Sequence, residues 1–274
     1  MFLRRVVLLI TLMGAAALPC WCQAPSSKPG VSDVLAKLQS KEWTERSSAI
    51  EQIYDNPAVL HSAKLRTALM DLLDRENRES YESSHKAQTT KPSDTNAARA
   101  EEGPEGEEFA WYSSSLTDIV GSFANWTDPR QACIMVNAAW VDYRTSASEA
   151  ASRARAAMPC ILKMAEDDQT IYRHIAIPML VEALARGKDA LDSETIRKAK
   201  RTILEDLHDS NAGLRSGTVI ALGNNGGADV IPALQEIARS DPAFEKTGNG
   251  GKWFLIRDEA VKAIAEIQKR EAQR

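Results

Sequence analysis

Histidine and cysteine are the residue types through which this chain could bind metal or do thiol chemistry, and both are sparse. The 274 residues include four histidines and four cysteines. The histidines stand far apart, and neither an H-E-x-x-H sequence nor a zinc-finger spacing of cysteines occurs. The residue types and their spacing therefore predict no metal site.

Short sequences that look like catalytic or phosphate-binding motifs each lack a part that the chemistry needs. GLRSG at 213–217 does not have the G-x-S-x-G order. SSHK at 83–86 has S-x-x-K spacing but lies in a charged stretch that would not hold two side chains at reacting distance. NNGG at 224–227 has neither the preceding strand nor the lysine of a phosphate loop. We therefore predict no catalytic residue, no cofactor and no enzymatic activity.

Two cysteines, Cys133 and Cys160, form a candidate disulfide. The sequence predicts that they lie on successive helices, at similar distances from a connection near 143–147. If those helices are antiparallel, the thiols can meet, and a bond closing this loop would contribute about 3 kcal/mol to stability. The alternative is two small buried residues on separate faces, which is ordinary for free cysteine.

The amino-terminal segment has the organisation of a secretory signal. A basic MFLRR precedes an apolar run that is too short to cross a bilayer comfortably, and small residues follow at the cleavage position. We predict a signal peptide at 1–24, cleavage after Ala24 and a linker at 25–30. No other stretch is apolar and long enough to span a membrane, so the mature protein is expected to be exported, either periplasmic or secreted.

A lipoprotein signal is the alternative for the same segment, because Cys20 and Cys22 lie at a suitable depth. However, Pro19 and Trp21 precede them, where a lipid-attachment motif has a small residue. The sequence therefore favours export without a lipid anchor.

Composition indicates a globular, mainly helical chain. Apolar residues make up 43% and charged residues 26% of it, and strong helix formers dominate. The net charge of −4 and the absence of a Lys/Arg-rich block do not favour a nucleic-acid-binding protein.

A helical pattern follows Arg215 and recurs elsewhere in the chain. Thr218, Val219 and Leu222 stand three, four and seven positions after this arginine, so they share one helix face. Similar residues follow four other arginines: Arg46, Arg130, Arg173 and Arg257. The pattern is weakest after Arg130, where Asn137 stands at the seventh position. The last four anchors are 43, 42 and 42 positions apart, and 84 positions separate the first two. A fixed period near 42 is typical of stacked helical repeats.

A second amphipathic helix is predicted between successive anchors, so each unit is a helix pair. These second helices are expected at 57–74, 146–166, 192–208 and 228–240. A helix at 109–126 and a carboxy-terminal cap at 252–270 complete the predicted all-α chain. Such a pair cannot bury its apolar faces alone, and it is stable only when its neighbours stack on it.

The pattern resembles the HEAT repeat, in particular the HEAT-like (PBS-lyase-type) form with D-x5-R, Ala and ALG. The match is best in DSNAGLRSGTVIALGNNGG and FLIRDEAVKAIAEI. It covers 167–267 well, 40–74 fairly, and 109–166 by spacing alone. The resemblance implies a right-handed α-solenoid. It also implies an inter-repeat ladder of acids and arginines, here Asp167, Arg173, Asp209, Arg215 and Arg257, although solvated helix arginines would give the same pattern.

The predicted units are interrupted once. Residues 31–76 form the first HEAT-like repeat, and 109–270 form the others. Between them, 77–108 contains four basic and eight acidic residues and only one large apolar residue, Tyr81. Such a segment buries too little surface to offset its ordering entropy, so it is expected to be a disordered acidic insertion.

The resemblance implies a non-enzymatic scaffold that binds an unidentified protein or peptide on an extended face of the second helices. Polar positions on those helices give the predicted partner-binding face: Lys64, Arg66, Lys198, Arg201, Gln235 and Arg239. One alternative is a structural envelope component without a discrete ligand. The other is an enzyme similar to HEAT-like phycobilin lyases, although export argues against it.

Overall fold

The computed structural model describes residues 30–89, 104–138 and 147–273. The predicted signal peptide at 1–24, nearly all of the predicted linker, and residues 90–103 of the predicted insertion lie outside the described residues.

The described chain is all-α apart from one small hairpin, so the predicted all-α class is confirmed. Eleven α-helices make up most of the described residues: α1 Val31–Leu38, α2 Trp43–Asp55, α3 Ala63–Thr89, α4 Pro104–Phe123, α5 Pro129–Asn137, α6 Ala147–Ala165, α7 Thr170–Gly187, α8 Ser193–Asp206, α9 Ala212–Asn225, α10 Ile231–Ser240 and α11 Leu255–Ala272. Single-turn or short 3-10 helices occupy Pro57–His61, Lys188–Ala190 and Ala228–Val230. The predicted helix at 57–74 is therefore divided between a 3-10 helix and α3.

Several helices begin where a polar side chain accepts hydrogen bonds from otherwise unpaired backbone N–H groups. The Asn211 side chain accepts from Gly213 and Leu214 at the start of α9, and Asp192 accepts from Thr195 at the start of α8. These local bonds fix where two of the predicted helices start.

Contacts between a helix and the next but one recur along the chain. α7 packs against both α6 and α9, and α9 in turn packs against α11. α1 likewise contacts α3, and α6 contacts α8. Small residues permit close approaches. A Cβ at Gly223 in α9 would lie 2.9 Å from the Cβ of Ala263 in α11, and one at Gly217 would lie 2.8 Å from the His174 ring in α7.

The buried apolar residues form two clusters that meet at α5. Ile134 and Met135 belong to the cluster built by α1 to α4, whereas Ala132 and Val136 belong to the cluster built by α6 to α11. α5 is therefore packed on both sides, and it joins the two halves of the core.

The prediction of disorder at 77–108 is wrong for the parts that are described, because 77–89 continues α3 and 104–108 begins α4. Two (i, i+4) ion pairs, Asp74–Arg78 and Arg75–Glu79, lie along this part of α3. The ring of Tyr81 also lies 4.9 Å from that of Tyr172 in α7. Helix propensity and these contacts replace the apolar burial that the segment lacks.

A hairpin precedes the last helix, where the sequence predicted the start of that helix. β1 Glu245–Lys246 pairs with β2 Lys252–Trp253 in antiparallel register. Gly250 in the connecting turn has φ of 80°, a conformation that favours glycine. α11 therefore begins at Leu255 rather than at 252.

No helix among the described residues is long and apolar enough to cross a membrane, in agreement with the predicted lack of a membrane span.

Candidate functional site

Several of the repeated arginines make hydrogen bonds between different elements, and Arg215 makes four of them. Its Nη1 donates to the backbone carbonyls of Asp209 and Ser210, at 2.7 and 3.1 Å. Its Nε and Nη2 donate to the two carboxylate oxygens of Asp241, at 2.6 and 3.1 Å. The two side chains are 7% and 1% exposed. This buried bidentate pair ties α9 to the residue that follows α10.

Arg46 repeats this arrangement in the first half of the chain. Its Nη1 donates to the carbonyls of Ser40 and Lys41, six and five residues earlier, as Arg215 does with its own preceding turn. Its Nη2 lies 3.0 Å from a carboxylate oxygen of Glu76 in α3. Its Nε donates to the Tyr112 hydroxyl at 3.1 Å, and that hydroxyl donates to Glu76 at 3.1 Å. One buried arginine thus joins α2, α3 and α4.

Arg173 pairs with carboxylates that lie after it in the sequence, as Arg46 does with Glu76 and Arg215 does with Asp241. Its Nη2 donates to Asp206 at the end of α8 and, at 2.7 Å, to Asp209 in the turn before α9. The structure thus brings together two members of the predicted ladder, Arg173 and Asp209. Asp206 was not anticipated, since it lies three residues before the motif position.

Arg257 differs from the ladder expectation, because its contact is with a backbone carbonyl. Its Nε donates to the carbonyl oxygen of Asp241 at 2.7 Å, and its guanidinium lies over the Phe254 ring. Asp241 lies sixteen residues before Arg257, whereas Asp209, whose carbonyl accepts the equivalent bond from Arg215, lies six residues before it. The β1–β2 hairpin accounts for the difference, because it is inserted between the turn and the helix.

Four side chains form the same local turn ahead of these helices. Each accepts a hydrogen bond from the N–H two residues later: Ser40, Asp167, Asp209 and Asp241. This geometry is an Asx or Ser/Thr turn, and it leads into a helix after Ser40, Asp167 and Asp209 and into the hairpin after Asp241. The expected ladder member Asp167 fits this turn. Its other carboxylate oxygen accepts from the Tyr81 hydroxyl at 2.7 Å.

The pKa values of two carboxyls that bind these arginines, Asp241 and Asp206, are shifted in opposite directions. Burial acts to raise the pKa of Asp241, but hydrogen bonds from Arg215 and from the Ala243 N–H outweigh it, so the pKa is lowered. Burial dominates at Asp206, and its pKa is raised in spite of the bond from Arg173. One oxygen of Asp206 is buried and has no hydrogen-bond partner within the described residues. The ionised form of Asp241 is therefore better stabilised by its neighbours than the ionised form of Asp206.

Cys133 of α5 and Cys160 of α6 are joined by a disulfide bond, and their Cα atoms are 5.4 Å apart. Both cysteines are partly buried. The bond closes the loop that contains residues 139–146, which lie outside the described residues. It therefore links the helix that joins the two core clusters to the helix after it.

The six residues of the predicted partner-binding face lie on three helices, α3, α8 and α10. Lys198 forms an ion pair with Glu166, at 2.9 Å, and the Arg201 Nε lies 3.8 Å from Glu205. Arg239 donates to the backbone carbonyl of Gln235 one turn earlier. Lys64 and Arg66 at the start of α3 are exposed, and they complete the set of six.

A groove lies against α8, one of these three helices. Its volume is about 420 Å³, and α7, α8, α9 and the 3-10 helix Ala228–Val230 form its walls. Apolar side chains such as Leu184, Leu204 and Val230 line it, and Leu204 is markedly exposed. Lys200 and Asp229, which also line it, form an ion pair. The groove could hold an apolar side chain of a partner next to polar groups that fix its orientation.

The residues that could do chemistry have structural contacts. Ser216 of the GLRSG sequence donates to Glu259 at 2.6 Å and thereby links α9 to α11. Among the described residues, no group of three or more His, Cys, Asp or Glu side chains is placed to hold a metal ion.

No family model matches this chain, and no curated protein matches it. The inference of function therefore depends on the geometry of the chain itself.

Sequence reasoning missed the most buried partners of the repeated arginines. The sequence predicted no role for Asp241, or for Glu76 at the end of the first repeat. A signal for Asp241 was present, because Asp-Pro follows a helix in the way that Asp209 follows α8. Tyr112 gave no such signal, because nothing in its local sequence indicates a contact with α2.

Proposed function

We propose that this protein is an exported scaffold of HEAT-like helix pairs, arranged as a right-handed α-solenoid, that binds a protein or peptide partner and is not an enzyme. The observation that carries this proposal is the arginine contact that recurs at Arg46 and Arg215 and, with a longer span, at Arg257. A repeated joint between successive helices makes each pair a similar unit, and units of this kind stack into an extended surface.

The second helices supply the surface for the partner. Arg66, Arg201 and Arg239 are exposed on three of these helices, and the groove beside α8 offers an apolar recess between polar groups. Arginine is enriched at protein interfaces because its planar guanidinium can pair with carboxylates and stack on flat groups. We therefore place partner contacts on this face.

The test is co-purification from the envelope fraction of the source organism. The bait is the mature chain from residue 25, and bound proteins are cross-linked and identified by mass spectrometry. A face variant carries Arg66→Glu, Arg201→Glu and Arg239→Glu. A control variant carries the same charge change at exposed positions elsewhere: Lys41→Glu, Lys262→Glu and Lys269→Glu.

We expect a defined protein to be retained by the wild type and by the control variant and to be lost with the face variant. Retention of the same proteins by all three baits would refute the proposed face. The absence of any protein above an empty-matrix control would refute the binding function. Mass measurement of the exported chain tests the cleavage after Ala24 separately.

A further inference from the structure

A second surface, formed by α2 and α4 in the first half of the chain, is lined mainly by aromatic and acidic residues. A cleft between α2 and α4, with a volume of about 520 Å³, is lined by two tryptophans, three glutamates and small hydroxyl residues. We call it the acidic aromatic cleft, and its defining residues are Trp43, Glu51, Glu107, Glu108 and Trp111.

Aromatic neighbours hold both tryptophans in place. The Trp111 ring, 42% exposed, lies 6.1 Å from the ring of Tyr54, which is also exposed. The Trp43 ring meets the edge of Phe109 at 5.7 Å. Ring contacts of this kind favour one orientation of each indole, so little ordering is required when a ligand stacks on it.

All the charged residues that line the cleft are acidic. None of its lining residues is a lysine or an arginine, and the three glutamate side chains are exposed. Within the described part of the chain, these carboxylates have no hydrogen bond or ion pair. Lys37, outside the lining, donates to Ser48 on the cleft wall at 2.9 Å. A cationic group entering the cleft would therefore find three unengaged carboxylates.

We propose that the acidic aromatic cleft binds an arginine- or lysine-containing segment of another protein. A guanidinium or ammonium group would stack on Trp111 and pair with Glu51, Glu107 or Glu108. Exposed indole faces attract cations, and adjacent carboxylates supply the charge complementarity. This proposal gives the scaffold a class of partner and rests on the binding function proposed above.

The cleft can be tested with a defined probe. The probe is a fluorescein-labelled peptide with four arginines separated by Gly-Ser, and its binding to the mature chain is followed by fluorescence anisotropy in about 0.15 M salt, where weak long-range attraction is screened. The comparison peptide has glutamine in place of each arginine. We expect the arginine peptide to bind at least tenfold more tightly.

Matched variants separate the cleft from the general acidity of the protein. The cleft variant carries Glu51→Gln, Glu107→Gln and Glu108→Gln, and the control carries the same change of net charge at Glu205, Glu236 and Glu266. We expect the dissociation constant to rise at least tenfold with the cleft variant and less than twofold with the control. Equal losses would mean that the peptide senses only net charge, and that result would overturn the proposal.

Two further measurements complete the test. Trp111→Ala is expected to weaken binding about fivefold, whereas Trp253→Ala, which removes an indole of similar exposure in the hairpin, is expected to have no effect. Equal effects would overturn the stacking role. Sedimentation velocity should show a monomer, because self-association that the cleft variant abolishes would identify a second copy as the occupant instead.

The outcomes also distinguish this proposal from the one on which it rests. Envelope co-purification that succeeds while the arginine peptide fails would reject the cleft and leave the scaffold function standing. Failure of both would reject both.

Discussion

Arg215 and Asp241, 26 residues apart in sequence, form a bidentate ion pair that is almost completely buried. The same arginine also holds the carbonyls of the turn that precedes its own helix, at Asp209 and Ser210. The side chain therefore links the turn before α9 to the residue that follows α10.

Replacing Asp241 with asparagine is expected to destabilise the protein by about 3 kcal/mol, because the change leaves the buried charge of Arg215 without a counterion. The measurement is urea unfolding followed by circular dichroism. The control is Asp118→Asn at an exposed position of α4, where a change within about 0.5 kcal/mol is expected. If the two variants were equally stable, the pair would not be a structural joint.

The lowered pKa of Asp241 also predicts how stability depends on acid. The folded-state pKa lies below the unfolded value, so the unfolded chain binds the proton more readily in the interval between them. The contribution of Asp241 is therefore complete above the unfolded pKa and is lost as the pH falls through the folded one. Asp241→Asn should show a shallower loss of unfolding free energy below about pH 4 than the wild type. Parallel curves would contradict this assignment.

Reduction of the bond between Cys133 and Cys160 should cost about 3 kcal/mol, since the unfolded chain regains the freedom of a closed loop of 27 residues. For a protein of this size, the midpoint of thermal unfolding should fall by roughly 6–12 °C. Cys133→Ser/Cys160→Ser should unfold at the same temperature with and without reductant. Full labelling of both thiols in the denatured, unreduced protein would rule the bond out.

Gly223→Ala should destabilise the protein by about 1–3 kcal/mol, because the new Cβ would lie 2.9 Å from that of Ala263. In a helix with free space at this position the same change would be stabilising. A decrease in the free energy of unfolding would therefore indicate that α9 and α11 are in close contact here. Ala263→Gly in the same chain should restore part of the loss. Gly248→Ala, where an added Cβ has no atom within 4 Å, serves as the control.

Burial and the nearby Glu76 raise the pKa of Tyr112 to about 12. The folded state therefore keeps this proton in a range where the unfolded chain has lost it, and stability should fall as the pH rises from about 10 towards 12. Tyr112→Phe removes this dependence while costing about 1 kcal/mol at neutral pH through lost hydrogen bonds. Urea unfolding at several pH values between 9 and 11.5 measures both effects. An equal alkaline slope in the variant would contradict the role of Tyr112.

The periodic part of the fold could be predicted because its cause is local. Small and β-branched residues at fixed offsets after Arg173, Arg215 and Arg257 place apolar groups on one helix face, and α7, α9 and α11 contain those arginines. The interval between Arg215 and Arg257 nevertheless gave a wrong start for the last helix. It contains a second helix of ten residues, Ile231–Ser240, and then the hairpin, yet the whole interval still spans 42 positions.

The acidic segment at 77–108 was misjudged for a different physical reason. Composition reports how much apolar surface a segment can bury, but not which neighbour it meets. Tyr81 gains a ring partner in Tyr172 and a hydrogen bond to Asp167, both remote in sequence. The partners of Arg46 and Arg215 were missed because they too depend on contacts between helices.

Arg257 bonds to the Asp241 carbonyl although the hairpin lies between them, whereas no such insertion separates Arg215 from the Asp209 carbonyl. This bond joins the turn directly to the helix across the hairpin. We therefore expect a foreign sequence inserted at Gly248, such as an epitope or a fluorescent reporter, to leave the surrounding helices in place.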